Sequence, residues 1–418
     1  MDRPRLRPLE AFPIEERGQK LLALRDPSGL AEGLARLPPL AVAVVQLFDG
    51  ESTRDEIVAE FTRRYQRPLE RKTLDQLIQQ LDEALLLDSD HFRQHAAKVF
   101  ADFARSEVRP AALAGRSYPN DPAELSTYLD GFFAAPHGPG APAATPTGAL
   151  PRAIVAPHVD FARGGAAYAW AYKPLAEAAE LPELIVVFGT DHLGSERSFA
   201  LTKKHYETPL GRLETDVVLV AELAAAVRER LGAPSADGLF YDEHHHRGEH
   251  SIEFQMVWLR KALGARADGV KVLPILTGSL RHLIDDGRDP STDSEVSVVL
   301  AELRRLVAGR KTLFIAGADL AHVGPRYGDP EPLDRDDLGS LERRDQQTLA
   351  HVVKGDAKGW FDDIAREKDR RNVCGLSPIY SMLATTDLTA SPGRILAYGQ
   401  CPADERNTSV VSIASIVF

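Results

Sequence analysis

Three apolar runs in this chain end in a polar segment carrying a histidine. They are Ala153-Ile154-Val155-Ala156-Pro157-His158, Leu184-Ile185-Val186-Val187-Phe188-Gly189-Thr190-Asp191-His192 and Leu313-Phe314-Ile315-Ala316-Gly317-Ala318-Asp319-Leu320-Ala321-His322. Each reads as a buried strand that feeds a functional loop. Ligands of open α/β sheets sit outside the carboxyl ends of the strands, so three such endings imply one shared site assembled from distant segments. Imidazole near neutral pH serves as a metal ligand or as a general acid or base. Two cysteines, Cys374 and Cys401, are too few for a disulfide framework, and either thiol is a candidate ligand or nucleophile. Glu249 and His250 stand just before Ser251-Ile252-Glu253-Phe254, which opens a helix whose N-terminus aims at the same cavity. The run His244-His245-His246 reads instead as a solvated loop, because adjacent residues of a strand point to opposite faces and Asp242, Glu243 and Arg247 flank it.

The positioning elements follow from periodicity. Val270-Lys271-Val272-Leu273-Pro274-Ile275-Leu276 is a further buried strand, and residues 297–306 form an amphipathic helix leading to the strand at Leu313. Arg394–Tyr398 and Val410–Val417 read as paired strands that complete the sheet. A helix runs from Ala123 to about Phe133, and the Pro, Gly and Ala of residues 134–151 make a loop or linker.

The first hundred residues have a different character. Ala41–Phe48 is an apolar helix-like run ending at Asp49-Gly50. Ser52-Thr53-Arg54-Asp55-Glu56 is a capped helix start leading into Ile57-Val58-Ala59-Glu60-Phe61. Leu74, Leu77, Ile78, Leu81, Ala84 and Leu85 keep one face of a third helix apolar. A helical connector follows between His91 and Arg109. With a strand pair around them, Leu47-Phe48-Asp49-Gly50, the capped helix and the Leu-rich helix resemble small winged-helix PqqD-like domains. That resemblance implies capture of a peptide segment at a sheet edge; a helical cap packed on the main domain is the plainer alternative.

With 418 residues, two domains are expected, 1–108 and 109–418. A net charge of -11 argues against a protein built to hold a nucleic-acid backbone, which needs clustered Lys and Arg. No apolar run approaches a bilayer span, and Met1-Asp2-Arg3-Pro4-Arg5-Leu6 lacks the apolar core of a signal peptide. Neither nucleic acid nor membrane is expected as a partner, and the expected location is cytoplasmic.

From Ala114 to the C-terminus the chain resembles the Memo family, whose bacterial members are called AmmeMemoRadiSam system protein B. The matching pieces occur in family order: Ala114-Gly115-Arg116-Ser117-Tyr118, the run ending at His158, Gly189-Thr190-Asp191-His192, Thr208-Pro209-Leu210-Gly211, Glu249-His250-Ser251-Ile252-Glu253, Asp319-Leu320-Ala321-His322 and Cys374-Gly375-Leu376-Ser377-Pro378-Ile379. The resemblance implies an α/β fold similar to class III extradiol dioxygenases, with a cysteine in place of the carboxylate of their two-histidine iron site. It further implies His158, His192 and Cys374 as metal ligands, with His250, Asp319 and His322 lining the cavity as catalytic groups.

Two imidazoles and a thiolate suit one divalent ion, iron first and copper or zinc as alternatives, and three protein ligands leave positions open for a small-molecule or peptide substrate. His250 and His322 are then acid–base candidates, with Asp319 or Glu249 fixing a tautomer. Plainer readings stand beside these: Cys374 as a buried apolar thiol, Asp319 and His322 as a helix cap. The expected function is a metal-dependent oxidoreductase. The alternatives are a peptide-binding adaptor or metal sensor without catalysis, and a metal-assisted hydrolase.

Overall fold

Ala153–Ala156, Thr312–Gly317, Leu184–Thr190 and Lys271–Thr277 lie side by side in that order as parallel strands, buried except at their outermost residues. Near-continuous burial marks strands covered on both faces. Because successive side chains point to opposite faces, each strand feeds two cores. Val155, Leu184, Val186, Phe188 and Ile275 pack in one core with the helices Val217–Leu231, Ser294–Leu306 and Leu376–Thr385. Ile154, Ile185, Val187, Val272 and Ile315 pack in the other with the helices Phe161–Ala176 and His250–Leu263. The result is a three-layer α/β/α unit.

The sheet is mixed. Val410–Val417 runs antiparallel to Ala153–Ala156 and is flanked by Arg394–Pro402 and His322–Val323. The far edge holds Phe199–Leu201, antiparallel to Lys271–Thr277. Gly317 stands opposite Ala156 and Thr277 opposite Thr190, so the carboxyl ends of the strands are aligned. His158, Asp319 and His192 each come two residues after the last residue of their strand.

Glycine at the strand ends lets the helix His250–Leu263 lie close against the sheet. A Cβ on Gly317 would sit 2.7 Å from the Ser251 carbonyl oxygen, and one on Gly189 would sit 2.6 Å from Ser251 Oγ. The strand at Leu184 runs through Gly189 to Thr190.

The same helix is anchored by a buried ion pair. Arg109 and Glu253 side chains pair with no solvent exposure. Glu253 also accepts the Leu113 amide at 2.9 Å and the Tyr118 hydroxyl. Arg109 donates to the carbonyls of His246 at 2.8 Å and Glu249 at 3.0 Å, which fixes the turn that enters the helix.

This is the chain's computed structural model, and it describes residues 1–31, 33–195 and 197–418. It separates into Met1–Ser106 and Glu107–Phe418. The first unit is largely helical, as expected, and carries a small sheet besides. Strands Glu10–Glu16, Gln19–Arg25 and Ala35–Leu37 form an antiparallel sheet, a third strand beyond the expected pair. Arg17 and Gly18, both at positive φ (52° and 76°), make the tight turn of the first hairpin. Helices Pro39–Val45, Arg54–Tyr65, Arg71–Glu83 and Asp90–Arg105 accompany it. Thr53 and Glu56 close a reciprocal capping box, and Ile57, Phe61, Leu74 and Leu87 form the core. No described helix is long and apolar enough to cross a membrane.

Arg109→Met leaves the Glu253 carboxylate buried without its cation. Chemical denaturation should show a loss of about 3–5 kcal/mol, with part of it recovered when Glu253→Gln is added. A loss under about 1 kcal/mol contradicts the anchoring role.

Candidate metal centre

His158 is the meeting point of the site. Its ring Nδ1 lies 2.9 Å from the Gly317 carbonyl, which only accepts, so Nδ1 carries the proton. The neutral ring then presents the Nε2 lone pair, 3.2 Å from Cys374 Sγ and 3.7 Å from Asp319 Oδ2. Burial pushes the His158 imidazole down to about 4, against the pull of Asp319. Burial, with Asp319 beside it, pushes the Cys374 thiol well above its ordinary value. The thiol therefore keeps its hydrogen and donates it to His158 Nε2.

Glu249 orients the other two imidazoles. It is the N-cap of the helix His250–Leu263, accepting the Ser251 amide at 2.8 Å. It also accepts the His192 amide at 3.1 Å and His192 Nδ1 at 3.0 Å, and His250 Nδ1 lies 3.1 Å from its Oε1. Burial opposes ionisation of Glu249, but His192 and His250 outweigh it and hold the carboxyl well below its usual range. Reciprocally, burial would lower His192, yet the Glu249 charge and hydrogen bond raise it above its ordinary value.

The three rings are mutually close, with centroids 4.9 Å apart for His158 and His192, 5.3 Å for His158 and His250, and 4.5 Å for His192 and His250. Ligand atoms of His158, His192 and His250 all fall within 4.8 Å of one another, as do those of His158, Asp319 and Cys374. His158 belongs to both groups. The expected ligands His158, His192 and Cys374 are thus split between two sets that share one imidazole. His250 and Asp319, expected only to line the cavity, stand among the donors. His192 and His250 side chains keep about a third of their surface exposed, 36% and 34%, which opens the centre on that side.

Asp319 caps no helix: its Oδ1 accepts the amides of His158 and Val159 at 2.7 and 3.1 Å, tying two strand ends together. His322 begins a short edge strand. Its ring packs edge-on against Tyr327 with centroids 5.0 Å apart, and its Nδ1 donates to the Leu320 carbonyl at 3.2 Å. Burial lowers its pKa. Among the described residues it belongs to neither donor group. Cys401 packs with Val411 and Ile413 in an apolar cluster.

The triple histidine is not a solvated loop. Residues Glu243–Arg247 form a 3-10 helix in which His245 and His246 are buried. Strand alternation does not apply to that geometry. His246 contacts the Tyr206 hydroxyl at 2.7 Å and the Ala200 carbonyl at 3.0 Å, and burial drives its pKa down to about 3. The orienting carbonyl of Gly317 and the Asp191–His245 contact leave no sequence signal, since both pair residues from separate segments.

The sequence profile of the Memo-like protein family matches residues 109–417, nearly the whole second unit. This chain belongs to the Memo-like family. A MEMO1 family protein of Aquifex aeolicus is 25% identical over 97% of this chain and 98% of its own length, so the alignment includes the N-terminal unit. MEMO1 family proteins of Methanopyrus kandleri and Pyrococcus furiosus are 29% and 30% identical, each over 74% of this chain and 98% of the relative. Neither the winged-helix likeness of the first unit nor the dioxygenase likeness of the second is part of these matches.

Cys374 must lose its proton to ligate a metal as thiolate. Below the raised thiol pKa, Zn2+ affinity of this Memo-like chain should rise with pH, roughly tenfold per pH unit for one released proton. Titration calorimetry in buffers of different ionisation enthalpy should count one proton fewer for Cys374→Ser. An unchanged count removes Cys374 from the site.

Proposed function

We propose that this chain is a metal-dependent oxidoreductase acting on a small molecule, with one divalent ion, ferrous iron foremost, held by His158, His192 and Cys374. The carrying observation is the arrangement of donors. Three neighbouring imidazoles have Nδ1 held by a carbonyl or carboxylate, which frees Nε2, and that of His158 faces a thiol and a second carboxylate. Such outer partners orient metal-binding histidines and raise their basicity. Nitrogen and thiolate donors fit a borderline-soft ion.

Held by His158, His192 and Cys374, ferrous iron would supply one-electron chemistry. His250, a third exposed and fixed by Glu249, is placed to accept or return a substrate proton at Nε2. The Asp319 Oδ2, 3.7 Å from His158 Nε2, supplies negative charge beside Cys374. The likeness to extradiol dioxygenases makes catechols the first substrates to try, with Cys374 in place of a ligating carboxylate as the chemical difference.

Iron-loaded protein should consume oxygen with at least one member of a catechol panel. His158→Ala should abolish uptake, and His250→Gln should slow turnover about a hundredfold while leaving bound iron unchanged. No uptake across the panel overturns the oxidoreductase reading. Iron content that survives His158→Ala overturns the ligand assignment.

A further inference from the structure

We propose a second divalent-cation site, of the zinc class, formed by Asp242, His244 and His245 on the turn that precedes the helix His250–Leu263. One ligand atom from each of these residues falls within 4.8 Å of the other two. None of the three belongs to the donor groups around His158.

The ring of His245 is set up as a ligand. Its Nδ1 donates to Asp191 Oδ2 at 2.7 Å, and a carboxylate accepts only, so the neutral ring carries its lone pair on Nε2. Nε2 lies 4.0 Å from Asp242 Oδ1. Asp191, His245 and the ion then form the carboxylate–histidine–metal relay that commonly orients imidazole ligands. Asp191 is itself fixed, since its other oxygen accepts the Leu193 amide at 3.1 Å. The second oxygen of Asp242 takes the Ser195 hydroxyl, which leaves Oδ1 to face the rings. The rings of His244 and His245 meet edge-on with centroids 4.5 Å apart, and His244 also has a backbone hydrogen bond with Tyr241.

Charge points the same way. Asp191 and Asp242 are both buried, each 7% exposed. His245 is an ion-pair partner of both, and His244 lies in the field of the same two carboxylates. The neighbouring Glu243 is matched separately by Lys204 at 3.9 Å. A dication would offset two desolvated carboxylates more fully than the imidazoles beside them. With bonds of about 2.0–2.1 Å, tetrahedral donors lie about 3.4 Å apart. The three side chains close to that distance by movements of about 1 Å.

Two imidazoles and one carboxylate, without sulfur, suit zinc and leave a position for water. The absence of thiolate separates this site from the one at Cys374 by spectrum as well as by position.

The test uses the full chain, stripped with a chelator and titrated with Zn2+ and, as a coloured probe, Co2+. In a His158→Ala, Cys374→Ser background the chain should keep one equivalent of ion. The Co2+ in it should show ligand-field bands without thiolate charge transfer. Adding His244→Gln, on the least buried of the three side chains, should remove that equivalent and leave the far-ultraviolet circular dichroism of the metal-free protein unchanged. If the background variant does not fold, His244→Gln in the otherwise unaltered chain should still lower the count by one and spare the thiolate band. A background variant that folds but binds nothing overturns the proposal, as does an equivalent that survives His244→Gln. Loss of ion at His158 and Cys374 is read independently, so failure at one centre is distinguishable from failure at the other.

Discussion

A single buried carboxylate, Glu249, holds the centre in register. It caps the helix His250–Leu263 and accepts hydrogen bonds from His192 and His250, whose rings come from the end of one strand and the first turn of that helix. In a buried setting an ionised carboxylate is stable only when its hydrogen-bonding capacity is filled by donors. Glu249 has the amides of Ser251 and His192 as well as the two imidazoles. Moving any one of these elements would leave a desolvated charge short of a partner. The fold therefore resists the displacement that would scatter the donors.

The rest of the second unit keeps that carboxylate where it is. Arg109 binds the carbonyl of Glu249 and pairs with Glu253 on the same helix. Glycines at the ends of two strands admit the helix to within contact of the sheet. Asp319 joins the end of one central strand to the loop after another through the amides of His158 and Val159. Three carboxylates, Glu249, Glu253 and Asp319, thus serve chiefly as organisers of backbone and imidazoles. Their burial makes these contacts strong, because the low local dielectric penalises each unpaired alternative.

Protonation follows from the same packing. Desolvation favours a neutral His158 and a neutral Cys374 thiol, whereas Glu249 favours the charged form of His192. A cation held there would invert this order, since a metal deprotonates a coordinating thiol outright. Ion binding at the centre would accordingly be coupled to proton release.

Much of this was legible from residue order. Apolar runs ending in His158, His192 and the Asp319 segment gave the parallel strands, and a strand's carboxyl end is where a ligand site lies in such sheets. The helices at residues 123–133 and 297–306 and the closing strand pair were readable from periodicity for the same reason: local patterning selects local structure. The hairpin at Arg17-Gly18 rests on two consecutive residues at positive φ, of which only the glycine is a signal readable in the residue order. The triple histidine departs from the solvated-loop expectation because a 3-10 turn, unlike a strand, can bury neighbouring side chains together.

The sequence by itself determined which residues sit at strand ends and hence which could meet. Only the tertiary structure decided who partners whom: that His250 and Asp319 stand among the donors, that His322 turns toward Tyr327, and that Asp191 reaches His245. These outcomes depend on strand register and helix approach, which arise from packing between segments far apart in the chain, and no local pattern encodes them.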